Sequence, residues 1–355
     1  MWLKIQPEGT DQLTFEWGSS RPYPCVYQVG RESIQRHAKN VRATLEKLAT
    51  WSLLKDPQQL SILLKDLARE GADLRFVIFD CPEQVDKITE LQNWISDQYS
   101  AGDKDLVITA DSRLNVPWGL AFDGDTAALG NSNDLTAYDQ FWSLKFKLSM
   151  VFSAFGWPPK GGRSRGSYKL LSMINSDVLE SIPVAARVEL VNLLTAPVGI
   201  AYNLEQSDKL VAEAAKNDTL IHFFGHCKDG ELQLGDERID STRFKMIIAK
   251  LLERGENRRN PYNLIFLNAC ETLAGELDDS FRNAAARPGL YGLIATEASV
   301  PRTFAADFGL RFLKSMLVDG KSIGDTMEAL RRDPGLWPLN LLYSCYASAD
   351  YQIVP

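Results

Sequence analysis

The sequence predicts an α/β protein with a doubly wound, mostly parallel sheet of six strands, preceded by a smaller α/β region. Two observations favour this class. Short apolar runs alternate with amphipathic segments of helical spacing, which is the pattern of parallel strands covered by helices. No internal repeat with a period of roughly 20–50 residues is present, which excludes a solenoid.

The N-terminal region is predicted to span residues 1–155. It starts with two alternating apolar segments, at 3–5 and 13–17, which predict strands joined by a turn at PEGTD. The further predicted elements are helices at about 31–54, 58–70 and 83–99, strands at 74–79 and 106–109, and a helical stretch at 135–155.

A segment rich in glycine and proline, GWPPKGGRSRGS at 156–167, predicts a flexible linker. Its three basic residues allow a second interpretation as a phosphate-binding loop. Such a loop needs a strand before it and a helix after it, whereas the predicted order here is the reverse. We therefore expect a boundary between two domains at this point.

The C-terminal region, 168–355, repeats strand and helix more regularly. Its predicted strands are 169–174, 198–202, 219–224, 263–267, 291–296 and 339–343. Its predicted helices lie at about 185–194, 207–216, 242–254, 280–286, 303–318 and 323–332, with a polar hairpin at 231–239.

Composition excludes several classes of protein. With 355 residues, 45% apolar and 24% charged, the chain is neither disordered nor fibrous and suits two domains. The net charge of −7 argues against a dedicated nucleic-acid binder. No apolar run approaches the roughly 20 residues of a membrane-spanning helix, and the start lacks the pattern of a secretion signal. We expect a cytoplasmic protein without membrane insertion.

Cysteine and histidine are few and scattered. The five cysteines include no CxxC pair, which predicts reduced thiols and neither a metal site nor a cofactor. Any histidine chemistry must use His37, His222 or His226. His37 is predicted on the surface of a helix, and His222 is predicted to be buried with its hydrogen bonds satisfied.

Two predicted strands end in reactive side chains. TLIHFF is followed by Gly-His226-Cys227, and NLIFL is followed by Asn-Ala-Cys270. Ligands of parallel sheets collect at the carboxyl ends of the strands, so neighbouring strands would bring the imidazole and the thiol face to face. An imidazole raises the thiolate fraction of a cysteine, whose ordinary pKa is about 8.5, and can then protonate a leaving amine.

Less specific interpretations of these residues stay open. Cys270 can be a small apolar core residue, and His226 can be a structural histidine with its hydrogen bonds made. The side chain of Cys227 is predicted to face away from that of His226, which makes it a poor partner. The backbone N–H groups of Cys227 and Cys270 are the predicted donors to an oxyanion.

These residues resemble a known family. HFFGHC and LIFLNACET are similar to the two signature strands of CHAT-domain proteins, caspase-like cysteine peptidases related to separase and widespread in bacteria. The segments ELQLGDERI, GLIATEASVP, PLNLLYSCYASAD and LVITADSRLNVPWGLAFD extend the resemblance to about 106–353. The resemblance implies a caspase-like fold, with His226 as general base and Cys270 as nucleophile of a peptide-bond hydrolase.

The resemblance also implies a protein substrate and an activating or inhibitory protein partner, in a bacterial defence or cell-death system. Some relatives cleave pore-forming gasdermins. The sequence departs from the family pattern at three positions, since Cys227 stands where glycine is usual, Ala298 where tryptophan is frequent and Arg302 where aspartate is frequent. The alternative is therefore a catalytically inactive interaction scaffold. A nucleotide-binding domain is disfavoured because no glycine-rich turn follows a strand.

Three carboxylates are candidates for a substrate pocket that attracts a basic side chain. Glu297 follows a predicted strand, and Asp278 and Asp279 follow the candidate nucleophile closely. The alternative for each is a solvated charge on a loop.

Overall fold

The computed structural model describes residues 1–54, 56–111, 113–129, 135–152, 168–194, 199–215, 217–252, 263–270, 272–273, 281–286 and 290–353. The chain divides into two compact units, Met1–Ser153 and Ala154–Pro355. The predicted linker at 156–167 lies outside the described residues. Among the helices of the described part, none combines the length and the apolar character that crossing a bilayer requires.

The first unit is built on a five-stranded sheet. Its strands are β1 (Trp2–Glu8), β2 (Gln12–Gly18), β3 (Pro22–Gly30), β4 (Asp105–Ala110) and β5 (Lys147–Phe152), and its helices are α1 (Arg31–Leu54), α2 (Pro57–Ile78), α3 (Val85–Ser100) and α4 (Trp142–Lys145). The strand order is β3-β2-β1-β4-β5. Strand β4 runs parallel to its neighbours β1 and β5, whereas β2 runs antiparallel to its neighbours β1 and β3. The predicted smaller α/β region is confirmed.

Two predicted elements of this unit are wrong. The run 74–79 is the end of α2 and not a strand. Gly71 lies inside the helix, where an added Cβ would clash with the carbonyl oxygen of Leu120. It is therefore a packing residue that lets the helix backbone approach a neighbouring segment.

The predicted helical stretch at 135–155 holds only the short α4 and a 3₁₀ turn, and β5 follows them. Residues 148–152 of β5 are all buried, so no alternation distinguishes this strand from a buried helix. A strand therefore precedes the segment 156–167, contrary to the order used to reject a phosphate-binding loop there. That segment is outside the described residues.

The second unit contains the larger sheet. Its strands are β6 (Lys169–Ile174), β7 (Gly199–Ala201), β8 (Thr219–Phe224), β9 (His226–Lys228), β10 (Glu231–Leu234), β11 (Glu237–Ile239), β12 (Asn263–Asn268), β13 (Leu290–Thr296) and β14 (Tyr343–Ala347). Its helices are α5 (Ser176–Glu180), α6 (Val184–Leu194), α7 (Leu204–Ala214), α8 (Ser241–Leu251), α9 (Phe281–Ala285), α10 (Arg302–Leu317) and α11 (Ile323–Arg331).

The six strands of the main sheet follow the order β14-β13-β12-β8-β6-β7. All neighbours are parallel except β13 and β14, which are antiparallel. The predicted six-stranded, mostly parallel sheet is confirmed. The predicted hairpin is also present, as β10 and β11, and β9 adds a third strand to it.

The closing strand was placed too early in the sequence. Residues Leu339–Leu342 form a 3₁₀ turn, and β14 begins at Tyr343, opposite Thr296 of β13. Apolar residues continue through both segments, so their pattern did not show where the strand starts.

An aromatic cluster holds α10 against the main sheet. Phe308 of α10 stacks on Tyr343 of β14 with ring centroids 3.8 Å apart, and Phe312 lies 4.8 Å from Phe266 of β12. These rings are buried, and aromatic pairs of this kind stabilise a core beyond the area that they bury. The start of α10 is thereby fixed near the carboxyl end of β12.

Candidate functional site

The site is organised by the pairing of β8 with β12. The two strands are neighbours and stay in register over six residue pairs, from Thr219 opposite Asn263 to Phe224 opposite Asn268. The pairing continues one step further, since the N–H of Gly225 donates to the carbonyl of Asn268 at 3.4 Å. His226 and Cys270 each lie two residues beyond the last register pair, at the same edge of the sheet.

His226 begins β9, where it lies opposite Gln233 of β10 and is half-buried. The turn between these strands has positive φ at both central residues, 53° at Asp229 and 76° at Gly230. A two-residue turn of this kind matches the twist of the flanking strands. The imidazole is thus carried by a short, well-defined hairpin, in which Cys227 lies opposite the buried Leu232.

Asn175 connects this hairpin to the main sheet. Its N–H donates to the carbonyl of Phe224 at 2.9 Å, and its Nδ2 donates to the carbonyl of Gln233 at 3.3 Å. Its Oδ1 accepts from the N–H of Val178 at 3.1 Å and so caps α5. Sequence reasoning missed Asn175, although an asparagine directly after a strand is a recognisable cap signal.

Two charges from different helices act on His226. Burial lowers the pKa of its imidazole, Arg302 at the start of α10 lowers it further, and Asp177 of α5 opposes the change. The result is a pKa below the ordinary value. A lowered pKa keeps the imidazole neutral, and able to accept a proton, over a wider range of pH.

The thiol of Cys270 lies against the segment between β13 and α10. Its Sγ accepts from the N–H of Val300 at 3.4 Å and lies 3.7 Å from the carbonyl oxygen of the same residue. Cys270 is half-buried. Because Arg302 follows Val300 by two residues, the same segment borders both Cys270 and His226.

Two threonines brace the backbone around Cys270. Thr296, at the end of β13, donates its hydroxyl to the carbonyl of Ala269 and donates its N–H to Oγ1 of Thr272 at 3.1 Å. In return, the N–H of Thr272 donates to Oγ1 of Thr296 at 3.4 Å. All three residues are buried, so the backbone directly before Cys270 and the residue two positions after it are tied to β13.

Asn268 forms a second brace below the thiol. Its Nδ2 donates to the carbonyl of Ala305 at 2.8 Å, and its Oδ1 accepts from the hydroxyl of Tyr343. The absence of a side chain at Gly309 of α10 leaves space for the Asn268 amide, since a Cβ there would lie 2.6 Å from its Nδ2. Strand β12 is thus linked to both α10 and β14 immediately before the candidate nucleophile. No pattern in the sequence pointed to this contact.

Of the three carboxylates predicted to line a substrate pocket, the structure describes Glu297 alone. Glu297 is 1% exposed, and its N–H donates to the carbonyl of Leu342 at 2.9 Å, so it is not a solvated loop charge. Asp278 and Asp279 lie outside the described residues. The structure therefore locates one of the three carboxylates, next to the loop that contacts Cys270.

His222 is completely buried in β8, as predicted, but its hydrogen bonds are not satisfied. Neither ring nitrogen has a hydrogen-bond partner in the described part of the chain. The ring packs against Phe266 and Phe224, with centroids 5.3 and 6.4 Å away. Burial lowers the pKa of His222 to about 3, so the ring is neutral and acts as a core residue.

His37 lies in the first unit and is half-buried on α1. Glu70 and Asp73, three residues apart on α2, reach the same place, and the ligand atoms of the three residues lie within 4.8 Å of one another. Within the described residues this group has the donors for a metal ion. Two helices packed side by side bring these residues together, so their spacing in the sequence gave no signal.

Comparison with solved structures finds a likeness of fold. The Arg-specific cysteine proteinase gingipain R (RgpB) matches with a TM-score of 0.49 and 12% sequence identity, over 74% of this chain and 67% of that chain. The complex of the pro- and mature domains of Porphyromonas gingivalis RgpB matches with a TM-score of 0.45 and 12% identity, over 73% and 68%. No family model and no curated protein matches the chain.

Proposed function

We propose that the chain is a cysteine endopeptidase of the caspase-like type, in which His226 and Cys270 form a catalytic dyad. The observation that supports this proposal is the unshifted pairing of β8 and β12, which brings the two residues to one edge of the sheet. The lowered pKa of His226 supports its role as a base, because the imidazole is then neutral at ordinary pH.

The chemistry follows from these two groups. The imidazole of His226 takes the proton of the Cys270 thiol, and the sulfur attacks the carbonyl carbon of a peptide bond. Backbone N–H groups of Cys227 and Cys270 stabilise the oxyanion, a contribution of about 3 kcal/mol for one donor. The imidazolium then protonates the leaving amine, and a water molecule that His226 deprotonates hydrolyses the acyl-enzyme and releases the thiol.

The substrate is proposed to be a protein. Glu297, with Asp278 and Asp279, would favour a basic side chain before the scissile bond. The resemblance to CHAT-domain proteins supports a cytoplasmic bacterial protease that a partner or a signal activates in defence or cell death, with gasdermin-type proteins as one substrate class. No cofactor is needed for this chemistry.

A second candidate is a catalytically inactive interaction scaffold with the same fold. The observation that favours it is Cys227, which stands where the family usually has glycine. Its Cβ restricts the backbone conformations available beside the candidate oxyanion site. The scaffold and the enzyme differ in one measurable property, the reactivity of the Cys270 thiol.

Alkylation of the full chain with iodoacetamide, followed by mass spectrometry of each cysteine, separates the two candidates. A dyad predicts that Cys270 reacts fastest, well ahead of Cys227, which is also half-buried. His226→Ala should slow Cys270 by roughly 10²-fold, whereas His37→Ala should leave it unchanged. Equal, slow labelling of Cys227 and Cys270 in both variants would support the scaffold.

Substrates can be sought by comparing new protein N-termini in cells that express the wild type or Cys270→Ala. Cleavages that disappear with Cys270→Ala and persist with Cys81→Ala, a buried thiol of the first unit, identify products of the protease. The comparison includes conditions with co-expressed partners. Identical N-termini in all cells would contradict the proposed activity.

A further inference from the structure

The first unit contains a cavity of about 170 Å³ that the proposed protease chemistry does not use. It lies between the sheet, the end of α2, helix α3 and the short α4. The α3 side is the most open, since Gln92 and Ile95 are half-buried and Ser96 is exposed. Of the 16 residues of α3, only Ile88 and Leu91 are buried.

Aromatic rings form much of the cavity wall. Trp17 and Phe79 stack with their centroids 5.7 Å apart, and Trp17 meets the edge of Trp142 at 6.2 Å. Phe146 completes this side, 6.3 Å from Trp142. A wall of this composition suits a flat, apolar ring.

Three charged side chains line the same cavity. Asp123 accepts from Nε of Arg75 and from Nζ of Lys145, both at 2.6 Å. Burial raises the pKa of Asp123, but the two cations outweigh that effect and hold its pKa below the ordinary value. One carboxylate therefore faces two cations, and the charged side chains that line the cavity carry one net positive charge.

Hydrogen-bond donors remain for an anion. Arg75 uses only its Nε towards Asp123, and its two NH₂ groups make no other hydrogen bond within the described residues. The buried indole N–H of Trp142 likewise makes no hydrogen bond of ordinary geometry there, although it lies close enough to help lower the pKa of Asp123. Charge-assisted hydrogen bonds to an anion are the strong ones.

From this combination we propose that the first unit binds a small aromatic carboxylate of about the size of benzoate. A cavity of about 150 Å³ accommodates benzene in a protein core, so the volume here fits one ring. The carboxylate of the ligand pairs with Arg75 and Lys145, and the ring lies among Trp17, Phe79 and Trp142. The site belongs to the first unit and is independent of the candidate protease dyad.

Benzoate is the probe, and benzamide is its neutral counterpart of the same shape. We expect saturable binding of benzoate to the full chain, with a Kd below about 1 mM, followed by ligand-observed NMR and by quenching of tryptophan fluorescence. Benzamide should bind at least about tenfold more weakly, because it lacks the charge. Absence of saturation up to about 10 mM benzoate, or equal affinity for the two probes, overturns the proposal.

Two variants locate the site. Lys145→Met keeps the length of the side chain and leaves Asp123 paired with Arg75, and it should weaken benzoate binding at least about tenfold. Lys209→Met is the matched control, because Lys209 is an exposed lysine of α7 that also pairs with one carboxylate, Glu205. If Lys145→Met and Lys209→Met changed the affinity for benzoate equally, the assignment of the binding site to this cavity would be overturned.

A variant at the entrance keeps the test valid if Lys145→Met does not fold. Ser96→Trp places a bulky ring at the open side of the cavity, at an exposed position of α3. It should abolish benzoate binding while a cooperative thermal transition is retained. Unchanged binding in a folded Ser96→Trp protein would contradict the proposed site.

Discussion

Replacing Thr296 by valine tests whether the threonine brace positions the candidate nucleophile. Valine keeps the shape of the side chain and removes the hydroxyl that donates to the carbonyl of Ala269 and accepts from the N–H of Thr272. All of these groups are buried, so water cannot replace the lost hydroxyl. The variant therefore removes the partner of the Ala269 carbonyl and of the Thr272 N–H, directly beside Cys270, and also the contact with the Thr272 hydroxyl, whose Oγ1 lies 3.3 Å from that of Thr296.

The expected magnitude follows from those two groups. A buried polar group without a partner costs about 1–3 kcal/mol, so losing the partner of the Ala269 carbonyl and of the Thr272 N–H should lower the unfolding free energy of Thr296→Val by about 2–6 kcal/mol. For a unit of this size, roughly 2–4 °C in Tm corresponds to each kcal/mol, which predicts a decrease of about 4–24 °C. A displacement of the thiol by about 1 Å should also slow its reaction roughly 10²-fold.

The assay combines thermal unfolding with the rate of Cys270 alkylation. Thr296→Ser is the matched control, because it keeps the hydroxyl and loses only a methyl group. Its Cys270 should react at nearly the wild-type rate. If Thr296→Val alkylates at Cys270 as fast as Thr296→Ser, the hydroxyl does not position the thiol, and the reasoning is refuted even where stability falls.

Three further predictions concern the same unit. Arg302→Gln removes a charge that lowers the pKa of His226, so the NMR titration midpoint of that imidazole should rise, and the acidic limb of thiol labelling should move to higher pH. The pKa of His222 is about 3 in the folded protein and about 6.5 in the unfolded chain. The unfolded chain therefore binds more protons than the folded protein between pH 6.5 and pH 3, and the unfolding free energy falls as the pH falls through this range. Chemical unfolding at about pH 7 and about pH 5 should show the wild type losing about 2 kcal/mol more than His222→Leu. Gly309→Ala places a Cβ 2.6 Å from Nδ2 of Asn268, so it should lower stability by about 1–3 kcal/mol, although alanine is normally the better helix former.

Each of these predictions has a contradicting result. A His226 midpoint that stays or falls in Arg302→Gln would show that the Arg302 charge does not act on the imidazole. A wild type and His222→Leu with the same pH dependence would show that the buried ring has a proton acceptor or water after all. Equilibrium unfolding measures the stability of Gly309→Ala. A variant more stable than the wild type would show that Asn268 can move without a loss of stability.

The candidate dyad was predictable because both of its residues follow strands that are buried on both sides. Such strands have continuous apolar sequences, and the residue that ends the apolar run marks the edge of the sheet. His226 and Cys270 were recognised by this rule, and the pairing of β8 with β12 has the predicted parallel direction. Their role in catalysis stays a prediction.

The supporting residues were not predictable in the same way. Thr296, Asn268 and Gly309 act across distances of many residues, through contacts that depend on the packing of α10 and β13. A threonine at a strand end or a glycine in a helix is common, and neither has a pattern that indicates its partner. Gly71 shows the same effect, since the close approach of Leu120, far away in the sequence, is what excludes a Cβ at this position of α2.

One strand at the edge of a sheet was also missed by the prediction from sequence. Strand β3 carries two prolines, Pro22 and Pro24, and was not predicted. Proline is tolerated there because β3 is at the edge of its sheet, where one side of the backbone needs no hydrogen-bond partner. The position of a strand in its sheet is a tertiary property, so the local sequence did not provide it.

The unshifted register between β8 and β12 restricts how the length of this protein can vary in evolution. One residue inserted within either strand would turn the following side chain to the other face of the sheet, because side chains alternate along a strand. Insertions between the strands, after Ile239 of β11 or after Leu251 of α8, leave that alternation intact. Related proteins that keep the imidazole and the thiol together should therefore differ in length in these connections and keep both strands free of insertions and deletions.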